Sequence, residues 1–171
     1  MPDRVTDTDV LVVGGGTAGF GAAVAAGRLG LSVMLVEATT KIGGVMAFCP
    51  GMPWGGGYPV DRSIGGLIEE LTDRLLAMDP PAAEKRDCAL ENFGAELVYD
   101  HDIATLAMFD MLQEAGVRLA LGAIALEPEM AGQRIASVAC CDRNGPFTVR
   151  AKIVVDCSGD GDISARAGVP Y

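Results

Sequence analysis

Histidine is almost missing from this chain of 171 residues: His101 is the single copy. With one histidine and no C-x-x-C pair, a metal-ligand set is not indicated. The five cysteines (Cys49, Cys88, Cys140, Cys141 and Cys157) are odd in number and contain no C-x-x-C pair. Reduced thiols in a cytoplasmic protein, rather than a disulfide framework, are the expectation. Basic residues are scarce, 13 Lys and Arg against 23 Asp and Glu, for a formal net charge of −10. Without a basic patch to release counterions, nucleic acid and anionic membrane surfaces are not expected partners. Long apolar runs are lacking too. The leading MPDRVTDTD is polar, and the apolar stretch after it is broken by Gly14-Gly15-Gly16 and Arg28. That pattern reads as neither a signal peptide nor a membrane span.

What the chain does have is small and apolar. Half of its residues are hydrophobic and 23 are glycine, a balance that suits buried parallel strands and close-packed helices. The length fits one domain with a real core.

Residues 9–37, DVLVVGGGTAGFGAAVAAGRLGLSVMLVE, hold an apolar strand, a glycine turn, a small-residue helix and a second apolar strand. Gly14, Gly16 and Gly19 make G-x-G-x-x-G, and Glu37 ends the second strand 18 residues after Gly19. Each residue type has a physical reason. Gly14 permits a sharp exit from the strand, Gly16 leaves room for a pyrophosphate, and Gly19 lets the helix pack closely. Unpaired N–H groups at the start of helix 17–29 attract phosphate. Glu37 can accept hydrogen bonds from both hydroxyls of a ribose and would repel a 2′-phosphate, which disfavours NADP(H). A tight turn without a ligand would use the same glycines. The strand before, the helix after and the acid at this distance favour a dinucleotide, and at this point NAD and FAD are both open.

Strand 9–13, helix 17–29 and strand 32–36 read as a β-α-β unit with parallel strands. Residues 39–62 read as a Gly/Pro-rich loop, and Ser63 as the N-cap of a helix over about 64–78. Residues 79–96 are charged and carry prolines, which suggests an irregular excursion. A helix over about 102–115 follows, capped by Asp100 or Asp102 and closed by Gly116. Strand 117–121 should rejoin the sheet, runs 123–129, 134–141 and 146–152 should form an antiparallel meander, and strand 152–156 should return to the sheet. A short helix begins near 163.

Three further segments extend the pattern: KIGG at 41–44, SIGGLIEELTDRL at 63–75 and IVVDCSGDGDISARAGVP at 153–170. Together with the glycine turn, the chain resembles the amino-terminal FAD-binding region of FAD-dependent oxidoreductases with the glutathione-reductase type fold. It is most similar to fumarate-reductase-like flavoproteins. The resemblance covers essentially all 171 residues. It implies an α/β fold: a Rossmann-like parallel sheet, helices on one face and an antiparallel β-meander (123–152) on the other. It also implies FAD as cofactor and hydride or electron transfer to or from a small-molecule substrate. By this resemblance Gly14, Gly16, Thr17, Ala18 and Gly19 would hold the pyrophosphate and Glu37 the adenosine ribose. Lys41, Gly43 and Gly44 would flank them, a backbone group near Ala125 would meet the adenine, and Ser158, Gly159 and Asp160 would line the cofactor from the second motif. Cys157-Ser158 stands where the family usually has Ala-Thr. Such proteins usually continue for hundreds of residues, so the resemblance implies a substrate domain absent from residues 1–171. A fragment, a split subunit whose second polypeptide supplies that domain, and a degenerate product are each open.

Other residues read more plainly. Cys49 has no partner cysteine at redox spacing, and His101, between Asp100 and Asp102, suits a capping or solvated role. Cys140 and Cys141 point to opposite faces of a strand. Trp54 and Tyr58 fit loop packing as well as substrate stacking. Asp156 and Asp160 are either caps or, for Asp160, a contact to the flavin's hydroxyls. No general base stands out. Two rival readings are an NAD-binding Rossmann domain and a non-catalytic dinucleotide-binding fragment.

Overall fold

The unbroken apolar run Val10–Val13 is the mark of a strand covered on both faces. In the computed structural model, which describes residues 4–49, 51–58, 65–88 and 95–170, it forms the end of β1 (Val5–Val13). There follow α1 (Thr17–Arg28), β2 (Val33–Glu37), α2 (Val45–Phe48), β3 (Trp54–Tyr58), α3 (Leu67–Leu76), β4 (Ala83–Asp87) and β5 (Ala95–Tyr99). Then come α4 (His101–Glu114), β6 (Arg118–Leu121), β7 (Ile124–Ala131), β8 (Arg134–Asp142), β9 (Gly145–Asp156) and α5 (Asp162–Arg166). The chain divides into two compact units, Met1–Gly44 with Asp110–Tyr171, and Val45–Phe109.

The first unit is a six-stranded sheet of order β6-β2-β1-β9-β8-β7. Strands β6, β2, β1 and β9 are parallel, and β8 and β7 continue antiparallel. Helix α1 lies against β1 and β2 and buries Gly19, Phe20, Ala23 and Val24. Alternation sends Leu11 and Val13 to one face of β1. There they join Val36, Val138, Cys140, Phe147, Val149 and Ile163 in one core cluster. Residues of the parallel strands and of the meander thus share one core, within the α/β fold expected. One detail differs: runs 146–152 and 152–156 are a single strand, β9. Residues 145–150 pair with β8 and residues 148–156 with β1, so the meander is hydrogen-bonded into the sheet. No glycine or proline interrupts residues 147–156, so nothing ends the strand at the join. Leu11 and Leu35 are fully buried, each worth about 1.5–3 kcal/mol of apolar transfer.

The second unit holds a three-stranded antiparallel sheet, β3-β5-β4. Two expectations fail here. The loop 39–62 contains α2 and β3, and the excursion 79–96 contains β4. β4 is AEKRD, with every residue but Ala83 exposed, so it has no apolar alternation to announce it. It forms by pairing with β5, whose Leu97 and Tyr99 are buried. Helix α3 is shorter than expected and buries Leu71, Thr72 and Leu75, while Arg74 pairs with Glu70 at 2.8 Å. The cap at Ser63 lies outside the described residues. Asp100 is the cap of α4: its Oδ1 accepts from the N–H groups of Asp102 (3.0 Å) and Ile103 (2.9 Å). That helix ends in a Schellman turn. Gly116 (φ +69) donates to Gln113, and Val117 to Leu112.

Candidate functional site

Strand register brings the two glycine-rich motifs together. Val13 lies opposite Val36 on one side and Asp156 on the other, and Glu37 lies opposite Leu121. The carboxyl ends of four parallel strands therefore open on one edge, where open α/β sheets take their ligands. Backbone bonds lock that edge. Gly14 N–H donates to Val36 (2.8 Å), Cys157 N–H to Val13 (2.7 Å), and Ala123 N–H to Glu37 (3.0 Å).

The glycines of the first turn differ in what they make room for. Gly14 sits at φ +95, and a Cβ there would overlap the carbonyl of Cys157. A Cβ on Gly19 would overlap the carbonyl oxygen of Gly14, so α1 sits directly on the turn. Around Gly16, by contrast, a Cβ would meet no protein atom within 4 Å. Gly16 is the N-cap of α1, and no side chain caps the helix and no acid stands in its first turn. Thr17 and Ala18 are exposed there. Those amides are open to an anion.

Glu37 is half-buried and fixed by backbone. One carboxylate oxygen accepts from Gly15 N–H (2.6 Å) and the other from Thr39 N–H (2.7 Å). The KIGG segment closes beside it. Gly43 N–H donates to Gly15 (2.8 Å), a Cβ on Gly44 would come within 3.0 Å of the Gly16 Cα, and Lys41 follows a turn made by the Thr39 hydroxyl.

The second motif is held by Asp156. Its Oδ1 accepts from Ser158 N–H (3.1 Å) and its Oδ2 from Ser164 N–H (2.7 Å). Burial pushes this carboxyl up, but the bonds from Ser164 and Ser158 outweigh it and hold its pKa below the usual carboxylate range. Ser158 Oγ accepts from Asp162 N–H at 3.0 Å, at the start of α5. Burial raises the Cys157 thiol, with the Asp156 charge adding to it.

Gly14, Glu37, Ala125 and Ser158, expected from sequence, line one cavity of about 170 Å³ with Val13, Val36 and Ile163. Asp160 is exposed and lines a separate cavity of about 300 Å³ with Gly161, Ser164 and Val169. Sequence reasoning missed Gly15, whose amide orients Glu37 and whose Cβ would press on Ile42 (2.6 Å). It also missed the bridging work of Asp156. The signal for Gly15 was its place in the middle of three consecutive glycines; for Asp156 it was an acid two residues before a turn serine.

In the second unit, His101 is a structural buckle. Nε2 accepts from Gly51 N–H (3.0 Å), which leaves Nδ1 to donate to the Met46 carbonyl (2.7 Å). Trp54 is buried against Tyr99, ring centroids 4.7 Å apart, and Tyr99 lies 4.8 Å from His101. Cys49 is exposed and Cys140 is core.

Comparison with known proteins gives the same fold. A geranylgeranyl bacteriochlorophyll reductase-like protein of Thermoplasma acidophilum superposes with TM-score 0.67 at 20% identity, over 96% of this chain and 43% of its own. THI4 of Thermovibrio ammonificans does so with TM-score 0.64 at 22% identity, over 94% and 61%. In sequence, ferredoxin–NADP reductase 1 of Cupriavidus necator is 40% identical over 83 residues, 48% of this chain and 22% of that protein. The 4-oxocyclohex-2-ene-1-carboxylate 5-dehydrogenase of Sinomonas cyclohexanicum is 40% identical over 72 residues, 42% of this chain and 12% of its own. The matched segment thus spans less than a quarter of the length of each of these two relatives. The family model for FAD dependent oxidoreductase matches residues 9–171. The chain belongs to the FAD-dependent oxidoreductase family, whose cofactor is FAD.

Proposed function

We propose that this chain is the cofactor-holding part of a flavin-dependent oxidoreductase acting on a small-molecule substrate. The observation that carries the reading is the cavity shared by Gly14, Glu37, Ala125 and Ser158, beside the uncapped start of α1. The residues fit a dinucleotide. Gly16, Thr17, Ala18 and Gly19 would receive the pyrophosphate on backbone amides, and Glu37, already oriented by Gly15 and Thr39, would take the adenosine ribose. The backbone near Ala125 would meet the adenine. Lys41, Gly43 and Gly44 would flank the pyrophosphate, and Ser158, Gly159 and Asp160 would continue along the cofactor from the second motif. FAD, when bound, supplies hydride and electron transfer, and the protein orients it and tunes its electronics.

The proposal extends to a second polypeptide, or a further segment, carrying the substrate domain; the greater length of the relatives supports it. It also places the protein in the cytoplasm, in keeping with five cysteines that stand as thiols. Among the described residues no helix is long and apolar enough to cross a membrane.

Titration with FAD, NADH and NADPH tests the cofactor reading. FAD should bind more tightly than NADH, and NADPH should bind least because its 2′-phosphate meets Glu37. NADH binding more tightly than FAD would instead favour a nicotinamide-binding Rossmann domain.

A further inference from the structure

Arg166 closes α5, just past the second glycine motif, and it reaches across to the edge strand β7. Its Nη1 donates to the Leu126 carbonyl, and its Nε lies 3.8 Å from Glu127 Oε1. Leu126 and Glu127 fall where β7 slips register against β8, between the pairs Ala125–Cys140 and Pro128–Val138. A bulge removes backbone groups from the ladder and re-aims the residues beside it. Here the carbonyl at that irregularity is taken by a guanidinium instead.

The bulge begins directly after Ala125. Ile124 and Ala125 form one wall of the 170 Å³ cavity, and Asp162 and Ile163 of α5 form another. Arg166 is thus a strut between two walls of the same cavity, joined to one by the chain of α5 and to the other by the Leu126 carbonyl. Of its two contacts the hydrogen bond matters more. Glu127 is 74% exposed in its side chain and Arg166 39%, so their ion pair is screened by water.

Building on the cofactor reading above, we infer that Arg166 is a positioning residue for adenine recognition. It locks the bulged segment of β7 so that the backbone at Ile124–Leu126 presents a fixed edge to the base. It touches no reacting group. Its action is to hold a backbone wall at one distance from Ser158 and Ile163, which an unlocked edge strand would not do.

ADP and IDP share pyrophosphate and ribose and differ only at the base edge, so their affinity ratio reads that wall and little else. Calorimetry on the full chain should show ADP binding about tenfold more tightly than IDP, the scale of one well-placed hydrogen bond. Arg166→Gln should bring the ratio close to one, chiefly by weakening ADP, with the melting temperature of the ligand-free protein nearly unchanged. Arg166→Lys, which can still donate to the Leu126 carbonyl, should restore part of the preference, and Glu127→Gln should leave it as it was. A wild-type ratio retained by R166Q overturns the inference. So does the absence of any ADP preference in the wild type, or an R166Q chain that does not fold, which would make Arg166 a determinant of the fold instead. If the wild type binds neither ADP nor FAD, the cofactor reading itself falls.

Discussion

Three glycines of one turn serve different ends, and single substitutions separate them. Gly14 and Gly19 are there for the protein: a side chain at either would strike the backbone of the turn. Gly14→Ala combines a positive φ with that overlap and should cost at least about 2 kcal/mol, visible as a lower denaturant midpoint. Gly16 has ordinary φ (−66) and open space, so on the proposed reading its missing side chain leaves room for the pyrophosphate. Gly16→Val should therefore melt within a few degrees of wild type and yet lose FAD binding. A G16V protein that binds FAD normally would mean the pyrophosphate does not lie there. Cys140 offers a second test at this scale. Burial pushes its thiol up to about 11, so it should resist a thiol reagent at pH 8 while exposed Cys49 reacts. Mass spectrometry of partly labelled protein reads the order directly.

Elements were legible where pattern and capping agreed. α1, β2 and α4 follow from small-residue spacing, an apolar run ending in an acid, and Asp100 with Gly116 at the helix ends. β4 was not legible, because Glu84, Lys85, Arg86 and Asp87 carry no strand signal and are strands only by virtue of β5 beside them. The site divides the same way. Gly14 and Glu37 were readable from spacing, whereas the tie from Asp156 to Ser164 depends on a turn whose shape no local pattern states. The start of β1 is fastened to the β8–β9 turn by a two-pronged pair, Arg4 to Asp142 at 3.0 and 2.7 Å. The Arg4 guanidinium holds the Asp142 carboxyl down to about 2. A depressed acid stabilises above its unfolded pKa, and that contribution fades as pH falls through the folded value. Asp142→Asn should thus lower the melting temperature at neutral pH, and the gap to wild type should close between about pH 4 and about 2. A gap independent of pH would show that the pair does not act through charge.

At the scale of the whole molecule, the account rests on register. Two motifs more than a hundred residues apart in sequence meet because Val13 pairs with both Val36 and Asp156. If that meeting builds a cofactor site, FAD should stabilise the folded chain by mass action, about 2.7 kcal/mol at a hundredfold excess over Kd. For a protein of this size that is a rise of roughly 5–10 °C in melting temperature, readable by scanning calorimetry. Stabilisation alone does not give the number of sites. The most direct measurement is isothermal titration of the full chain with FAD, repeated on Gly16→Val. One FAD per chain for wild type, displaced by ADP and lost in the variant, is the result predicted. A folded wild-type chain that takes up no FAD, or takes it up equally well with valine at position 16, would contradict the account.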